Sequence, residues 1–242
     1  NLGTYLSNQN ISLYAYELRG QGNDPDQSRV GDIASVEHWY KDLNSFIKKV
    51  HKETGDAPIF LYGESLGSLI IMHGNSYLDE SIKETIKGVI YASPLIALPG
   101  ELPPVKNFIV RLAMFLFPKM KISIKSLASN QNAQVTSETD HWEQMAKTPH
   151  FVPKYTLRTL GSIEDLVYSS KEVAPRITKP TLILYPGKDV FTRPDQVDKF
   201  FGNLKSKDKK KHLFKESHHL LAFDKEKERL FEIVEQWINK RL

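Results

Sequence analysis

Pro58-Ile-Phe-Leu-Tyr-Gly-Glu-Ser-Leu-Gly67, continued by Ser68-Leu-Ile-Ile-Met-His73, is the stretch on which the reading of this chain turns. Ile59 to Tyr62 is a short apolar run, the pattern of a strand buried in a parallel sheet. Gly63-Glu-Ser-Leu-Gly67 follows directly, and a helical pattern begins at once. Set between a strand and a helix, G-x-S-x-G is a sharp turn that lifts its serine clear of the sheet's C-terminal edge. The turn forces Ser65 into a strained backbone conformation, and Gly63 and Gly67 lack the Cβ atoms that would clash beside it. Ser65 is therefore the candidate nucleophile. The N–H of Leu66, at the helix N-terminus, is aimed where an oxyanion would form. Alone, the pentapeptide is a weak signal that loops produce by chance; the flanking strand and helix give it weight. Glu64, at the variable position, is assigned no chemistry.

Outward from this turn, strand and helix patterns alternate. Residues 1–9 read as the end of a helix and Ile11-Ser-Leu-Tyr-Ala-Tyr16 as a buried strand. Val36, Trp39, Tyr40, Leu43, Phe46, Ile47 and Val50 recur at helical spacing, an amphipathic helix over one sheet face, ended by Gly55 and Pro58. Gly88-Val-Ile-Tyr-Ala-Ser93 is the next strand, closed by Pro94. The sheet resumes at Pro180-Thr-Leu-Ile-Leu-Tyr185 and His212-Leu-Phe214, with a helix from about Pro194 between them. Leu230, Ile233, Val234, Trp237 and Ile238 stripe a final helix. The alternation predicts an α/β fold with a doubly wound, mostly parallel sheet flanked by helices.

Residues 94–175 break the pattern with prolines and polar stretches around one strongly apolar helix over 108–117, flanked by Lys106, Lys119, Lys121 and Lys125. No strand pattern fits there. The expected division is a core over 1–93, a helical cap over 94–175, and the rest of the core over 176–242.

The bulk properties exclude several classes. A chain of 242 residues, 40% apolar, can bury a full core. Its net charge of +4, from 33 Lys/Arg against 29 Asp/Glu, is too evenly mixed to point to nucleic acid. Lys205-Ser-Lys-Asp-Lys-Lys-Lys211 reads as a solvated loop. With no cysteine, disulfides, thiolate metal sites and a Cys nucleophile are excluded. No apolar run reaches the ~18 residues of a spanning helix. A cytoplasmic or peripheral-membrane location is expected; the sequence assigns no oligomeric state.

A serine hydroxyl is a poor nucleophile near neutral pH and needs a base, which in turn needs an orienting carboxylate. In an open parallel sheet such groups gather at the C-terminal ends of strands. One later strand exits into Pro186-Gly-Lys-Asp189 and another into Lys215-Glu-Ser-His-His219. Ser65, Asp189 and then His218 or His219 stand in the order Ser…Asp…His. The alternative for Asp189, the weaker of the two, is an ordinary turn residue, and one of the two histidines must be a plain loop residue. His38 and His51 read as surface residues and His73 as packed on the elbow helix. His141 and His150 lie in the cap, with no metal-site spacing. No cofactor or metal is called for.

Nearly end to end, the chain resembles the α/β-hydrolase superfamily. Within it the likeness is to the monoacylglycerol lipase/lysophospholipase-like branch of serine hydrolases, the serine aminopeptidase S33 type. The resemblance is carried by Tyr14-Ala-Tyr-Glu-Leu-Arg-Gly-Gln-Gly22, Leu61-Tyr-Gly-Glu-Ser-Leu-Gly67, Tyr91-Ala-Ser-Pro94, Pro180-Thr-Leu-Ile-Leu-Tyr-Pro-Gly-Lys-Asp189 and Ser217-His-His-Leu-Leu-Ala-Phe-Asp224. In the cap, Asp140-His-Trp-Glu-Gln-Met-Ala-Lys-Thr-Pro149 and residues 154–168 suggest the branch. The family's histidine is followed by two apolar residues and, five positions on, an acid; His219-Leu-Leu-Ala-Phe-Asp224 fits, so the resemblance selects His219 as base.

The resemblance implies a serine carboxylic-ester hydrolase acting through an acyl-enzyme on a single-chain lipid ester, a monoacylglycerol or lysophospholipid. A thioesterase, short-chain carboxylesterase or aminopeptidase on the same scaffold, or a non-catalytic binding protein, are the alternatives. The apolar cap helix invites a peripheral membrane contact. Gly67 is followed by Ser68 where relatives carry a second glycine. The family's His-Gly motif, whose strand provides the second oxyanion donor, is missing, so the N-terminal strands are expected in a longer protein.

Overall fold

The computed structural model describes residues 1–98, 103–123, 134–137 and 147–242. Four parallel strands form the main sheet in the order β1 (Ile59–Glu64), β2 (Ile86–Ala92), β5 (Thr181–Pro186) and β6 (Lys209–Phe214). Two short antiparallel strands, β3 (Lys121–Ser123) and β4 (Lys154–Thr156), pair apart from it. Among the described residues the α-helices are α1 (Leu2–Asn8), α2 (Glu37–Thr54), α3 (Leu66–Gly74), α4 (Glu80–Thr85), α5 (Pro104–Leu116), α6 (Leu157–Val173), α7 (Pro194–Asn203) and α8 (Lys227–Asn239).

The strands' side chains alternate between two apolar layers, as the period of two requires. Val89, Tyr91, Ile183 and Tyr185 face a core shared with Trp39 and Leu43 of α2, Leu69, Ile70 and Met72 of α3, and Val197 and Phe200 of α7. Ile90, Ala92, Leu182 and Leu184 face the other way, onto Leu2 and Leu6 of α1 and Leu230, Val234 and Trp237 of α8. Burying one such Leu or Ile contributes about 1.5–3 kcal/mol, so each helix is held by its own stripe. The mostly parallel, helix-flanked sheet is the one expected.

Three expectations fail. Residues 11–16 form no strand. A cavity of about 540 Å³, lined by those residues on one side and by β1 on the other, separates them from the nearest strand edge. Ladder bonds need strands ~4.8 Å apart, so no ladder forms across it. Residues 121–123 and 154–156 form β3 and β4 within the stretch 94–175, where no strand was expected; three-residue strands are too short to show alternation. The lysine run is not wholly loop, because β6 begins at Lys209. On this sheet edge Lys209 Nζ donates to the carbonyls of Phe201 and Leu204 at 2.9 and 2.8 Å. Lys211 pairs with Asp198 at 2.5 Å above the Phe201 ring. Both ammonium groups thus have partners on the strand's own neighbours.

Among the described residues no helix is long and apolar enough to cross a membrane.

Candidate active site

The elbow is built as its sequence demands. β1 ends at Glu64, α3 starts at Leu66, and Ser65 between them has φ 52° and ψ −117°, a conformation that strains any residue with a side chain. Neighbouring bonds hold it there. The Ser65 N–H donates to the Ala92 carbonyl at 3.1 Å, and Ser68 Oγ–H donates to the Ser65 carbonyl at 2.5 Å. A Cβ on Gly63 would sit 2.5 Å from the Gly67 carbonyl oxygen, so only glycine fits there. Gly67 is different: a Cβ there would meet nothing within 4 Å. The expected clash is absent because Gly67 borders the cavity beside β1.

The loops after β5 and β6 are zipped together. Gly187 N–H donates to the Phe214 carbonyl at 2.7 Å, and Lys188 N–H to the Ser217 carbonyl at 3.1 Å. This brings Asp189 beside His219. His219 Nδ1 lies 3.1 Å from both carboxylate oxygens of Asp189, and its Nε2 lies 2.8 Å from Ser65 Oγ. The Asp189 side chain is 1% exposed and that of His219 4%. An acceptor carboxylate at Nδ1 fixes the tautomer with the proton there, leaving Nε2 to accept from the hydroxyl. Asp189 Oδ1 also accepts the Phe191 N–H at 2.9 Å, so it is a turn residue as well. The Phe191 ring meets the imidazole edge-on, with centroids 4.7 Å apart. Ser93 Oγ–H donates to the His219 carbonyl at 2.5 Å and anchors the loop from beneath.

His218 faces elsewhere: its Nδ1 is 3.0 Å from Asp224 Oδ2. Of the two adjacent histidines, His219 therefore reaches the serine. His73 packs as expected, its Nε2 2.9 Å from the Leu166 carbonyl oxygen, and burial lowers its pKa. His150 is exposed, whereas His51 Nδ1 is buried without a partner. His141 and the stretch Asp140-His-Trp-Glu-Gln-Met-Ala146 lie outside the described residues. The Leu66 N–H, in the first turn of α3, sits beside Ser65 at the positive end of the helix dipole.

Sequence reasoning missed Phe191 and Ser93, whose contacts depend on loops meeting from distant parts of the chain. It also gave Glu64 nothing to do. Burial pushes the Glu64 carboxyl up to about 7, partly offset by His219. Its Oε1 and the hydroxyl of Tyr62, one strand period away, are buried without partners.

The family model described as serine aminopeptidase, S33 matches residues 1–226. The monoglyceride lipase of Saccharomyces cerevisiae is 26% identical over 98% of this chain and 78% of its own length. The crystal structure of Paleococcus ferrophilus monoacylglycerol lipase superposes with a TM-score of 0.82 at 23% identity, covering 100% of this chain and 88% of that one. A soluble variant of the S. cerevisiae monoglyceride lipase, in complex with a substrate analog, gives 0.77 at 21% identity over 93% and 76% of the two chains. These structural likenesses establish the α/β-hydrolase fold.

Proposed function

The chain belongs to the serine aminopeptidase, S33 family, and on that premise we propose that it is a serine carboxylic-ester hydrolase working through an acyl-enzyme. The observation that carries the reading is the continuous Ser65–His219–Asp189 hydrogen-bonded line. His219 Nε2 takes the Ser65 proton as Oγ attacks the ester carbonyl, and Asp189 stabilises the imidazolium at Nδ1. The Leu66 N–H donates to the developing oxyanion. His219 then protonates the leaving alcohol, and water, deprotonated by the same nitrogen, releases the acid.

For the substrate we propose a single-chain lipid ester, a monoacylglycerol or a lysophospholipid. The names of the relatives support this class. So does α5, whose apolar side chains stand ready to meet an acyl chain or its membrane. We also propose that residues 94–175 act as the cap, between core parts at 1–93 and 176–242. An acyl-chain series of monoacylglycerols and lysophospholipids, run beside amino-acid amides, tests the class. The expected result is turnover of long-chain esters and none of the amides; cleavage of amides with the esters untouched would mean a peptidase.

One observation favours a peripheral membrane contact. Along α5, Val105, Phe108, Ile109 and Leu112 are exposed, as is Phe115 at 80%, and Phe117 and Met120 continue the patch. The opposite side is pinned to α6: Arg111 bonds Asp165 at 2.7 Å and Glu164 at 2.9 Å, and Met114 packs against Gly161. Lys106 and Lys119 flank the apolar stripe in sequence and are exposed, as a helix resting at a lipid surface requires, whereas the Lys121 ammonium donates to the Val30 carbonyl at 2.8 Å. Replacing Phe115 and Phe117 by Ser should reduce turnover of vesicle-borne ester about tenfold and leave a soluble ester unaffected. Equal loss on both substrates would dismiss the contact.

A further inference from the structure

Asp224 lies outside the triad, yet it is 1% exposed and receives five hydrogen bonds. Oδ2 accepts the His218 N–H at 2.7 Å, lies 3.0 Å from His218 Nδ1, and accepts the Ser137 N–H at 3.3 Å. Oδ1 accepts the Lys225 N–H at 2.7 Å and the Ser137 hydroxyl. Burial alone would raise the pKa of this carboxyl, but bonds from Ser137, His218 and Lys225 outweigh it and hold the pKa below its ordinary range. The segment 134–137, from the insertion, has two further ties to the same loop. The Leu220 N–H donates to the Val135 carbonyl at 2.9 Å, and Thr136 Oγ1 donates to the Phe223 carbonyl at 2.9 Å.

The residues on both sides of His219 are thus bound to one short segment of the insertion: His218 through Asp224 to Ser137, and Leu220 directly to Val135. We propose that Asp224 is a positioning residue that hangs the base-bearing loop from residues 135–137, so that the seating of the insertion sets the His219–Ser65 geometry. The proposal rests on the triad reading above. Its chemistry is that of a satisfied buried carboxylate: His218 and Lys225 donate from the loop itself and Ser137 from the insertion, so the one side chain joins the two. A displacement of His219 by ~1 Å is enough to cost ~100-fold in rate, without altering where substrate binds.

The test uses a soluble p-nitrophenyl ester, with rates expressed per active site titrated by a fluorophosphonate. That normalisation separates slower molecules from fewer folded ones. Asp224→Asn should lower kcat about 100-fold and leave KM within about twofold. Ser137→Ala, which removes one hydroxyl, should lower kcat about tenfold; Ser137→Thr, which keeps the hydroxyl, should stay near wild type. If Asp224→Asn does not fold, the Ser137 pair decides. Wild-type kcat per titrated site in Asp224→Asn, or equal kcat in Ser137→Ala and Ser137→Thr, overturns the positioning role. His219→Ala is run alongside. If it retains activity, the triad reading itself falls; if it is dead while Asp224→Asn is normal, the positioning role alone fails.

Discussion

On one side, β1 pairs with β2 along its length, from Ile59 against Ile86 to Glu64 against Ala92. At the top of that side the elbow, the Asp189 turn and the His219 loop meet, and their polar side chains find partners. On the other side β1 faces residues 11–16 across an apolar cavity, and there the Tyr62 hydroxyl and Glu64 Oε1 are buried alone. Along one six-residue strand, therefore, the edge that leads to Ser65 is hydrogen-bonded to β2, while Tyr62 and Glu64 carry buried polar atoms without partners. Precision at Ser65 comes from β2, β5 and β6 and the loops they end in.

That contrast can be broken from either side. The largest effects belong to the framed side. Ser65→Ala, His219→Ala and Asp189→Asn should each cut kcat by about 10³-fold or more, because the three act as one unit. His218→Ala should cost far less, since the ring does not touch the serine and the backbone N–H bond to Asp224 remains. A dead His218→Ala beside an active His219→Ala would reverse the assignment.

The elbow glycines give the next effect. Gly63→Ala drives a Cβ to 2.5 Å from a backbone oxygen and 2.7 Å from Ile71, and should destabilise the fold by about 3 kcal/mol. Gly67→Ala has open space and should be near neutral by thermal unfolding. Equal losses would mean that the two sides of the elbow are packed alike.

The smallest effects lie on the cavity side. A carboxyl raised to about 7 keeps its proton in the fold after the unfolded chain has lost it near 4.5. The folded state therefore binds more protons in that window, and Glu64 costs stability progressively as pH rises from 4.5 to 7. Glu64→Gln should thus raise the melting temperature more at pH 8 than at pH 4. Tyr62→Phe, removing an unpartnered hydroxyl, should leave stability unchanged or raise it by ~1 kcal/mol. A marked loss in either variant would show that these groups have partners.

The same contrast explains what the sequence made legible. Ser65 and the Asp189 turn lie at ends of strands whose apolar runs are unmistakable, and both histidines follow the shorter His212-Leu-Phe214, so topology gathers them at one sheet edge. The choice of His219 came from the family resemblance, which sets an acid five positions after the base, and the structure gives that acid a physical content: Asp224 holds the neighbouring His218. Residues 11–16 show the limit. Ile11-Ser-Leu-Tyr-Ala-Tyr16 has strand composition, but a strand exists only where an edge lies within ladder distance, and composition carries no information about its partner. The strands at 121–123 and 154–156 were hidden for the opposite reason, a pairing too short to leave a pattern. Glu64 was passed over because the motif leaves its position open; its burial is a property of the cavity.

The central claim is that Ser65 is a nucleophile activated by His219. The most direct measurement is reaction of the protein with a fluorophosphonate, followed by peptide mapping of the adduct. The account predicts a single adduct on Ser65, lost in Ser65→Ala and strongly slowed in His219→Ala but formed in His218→Ala. Labelling at another residue, or labelling of Ser65 at an undiminished rate in a folded His219→Ala protein, would contradict it.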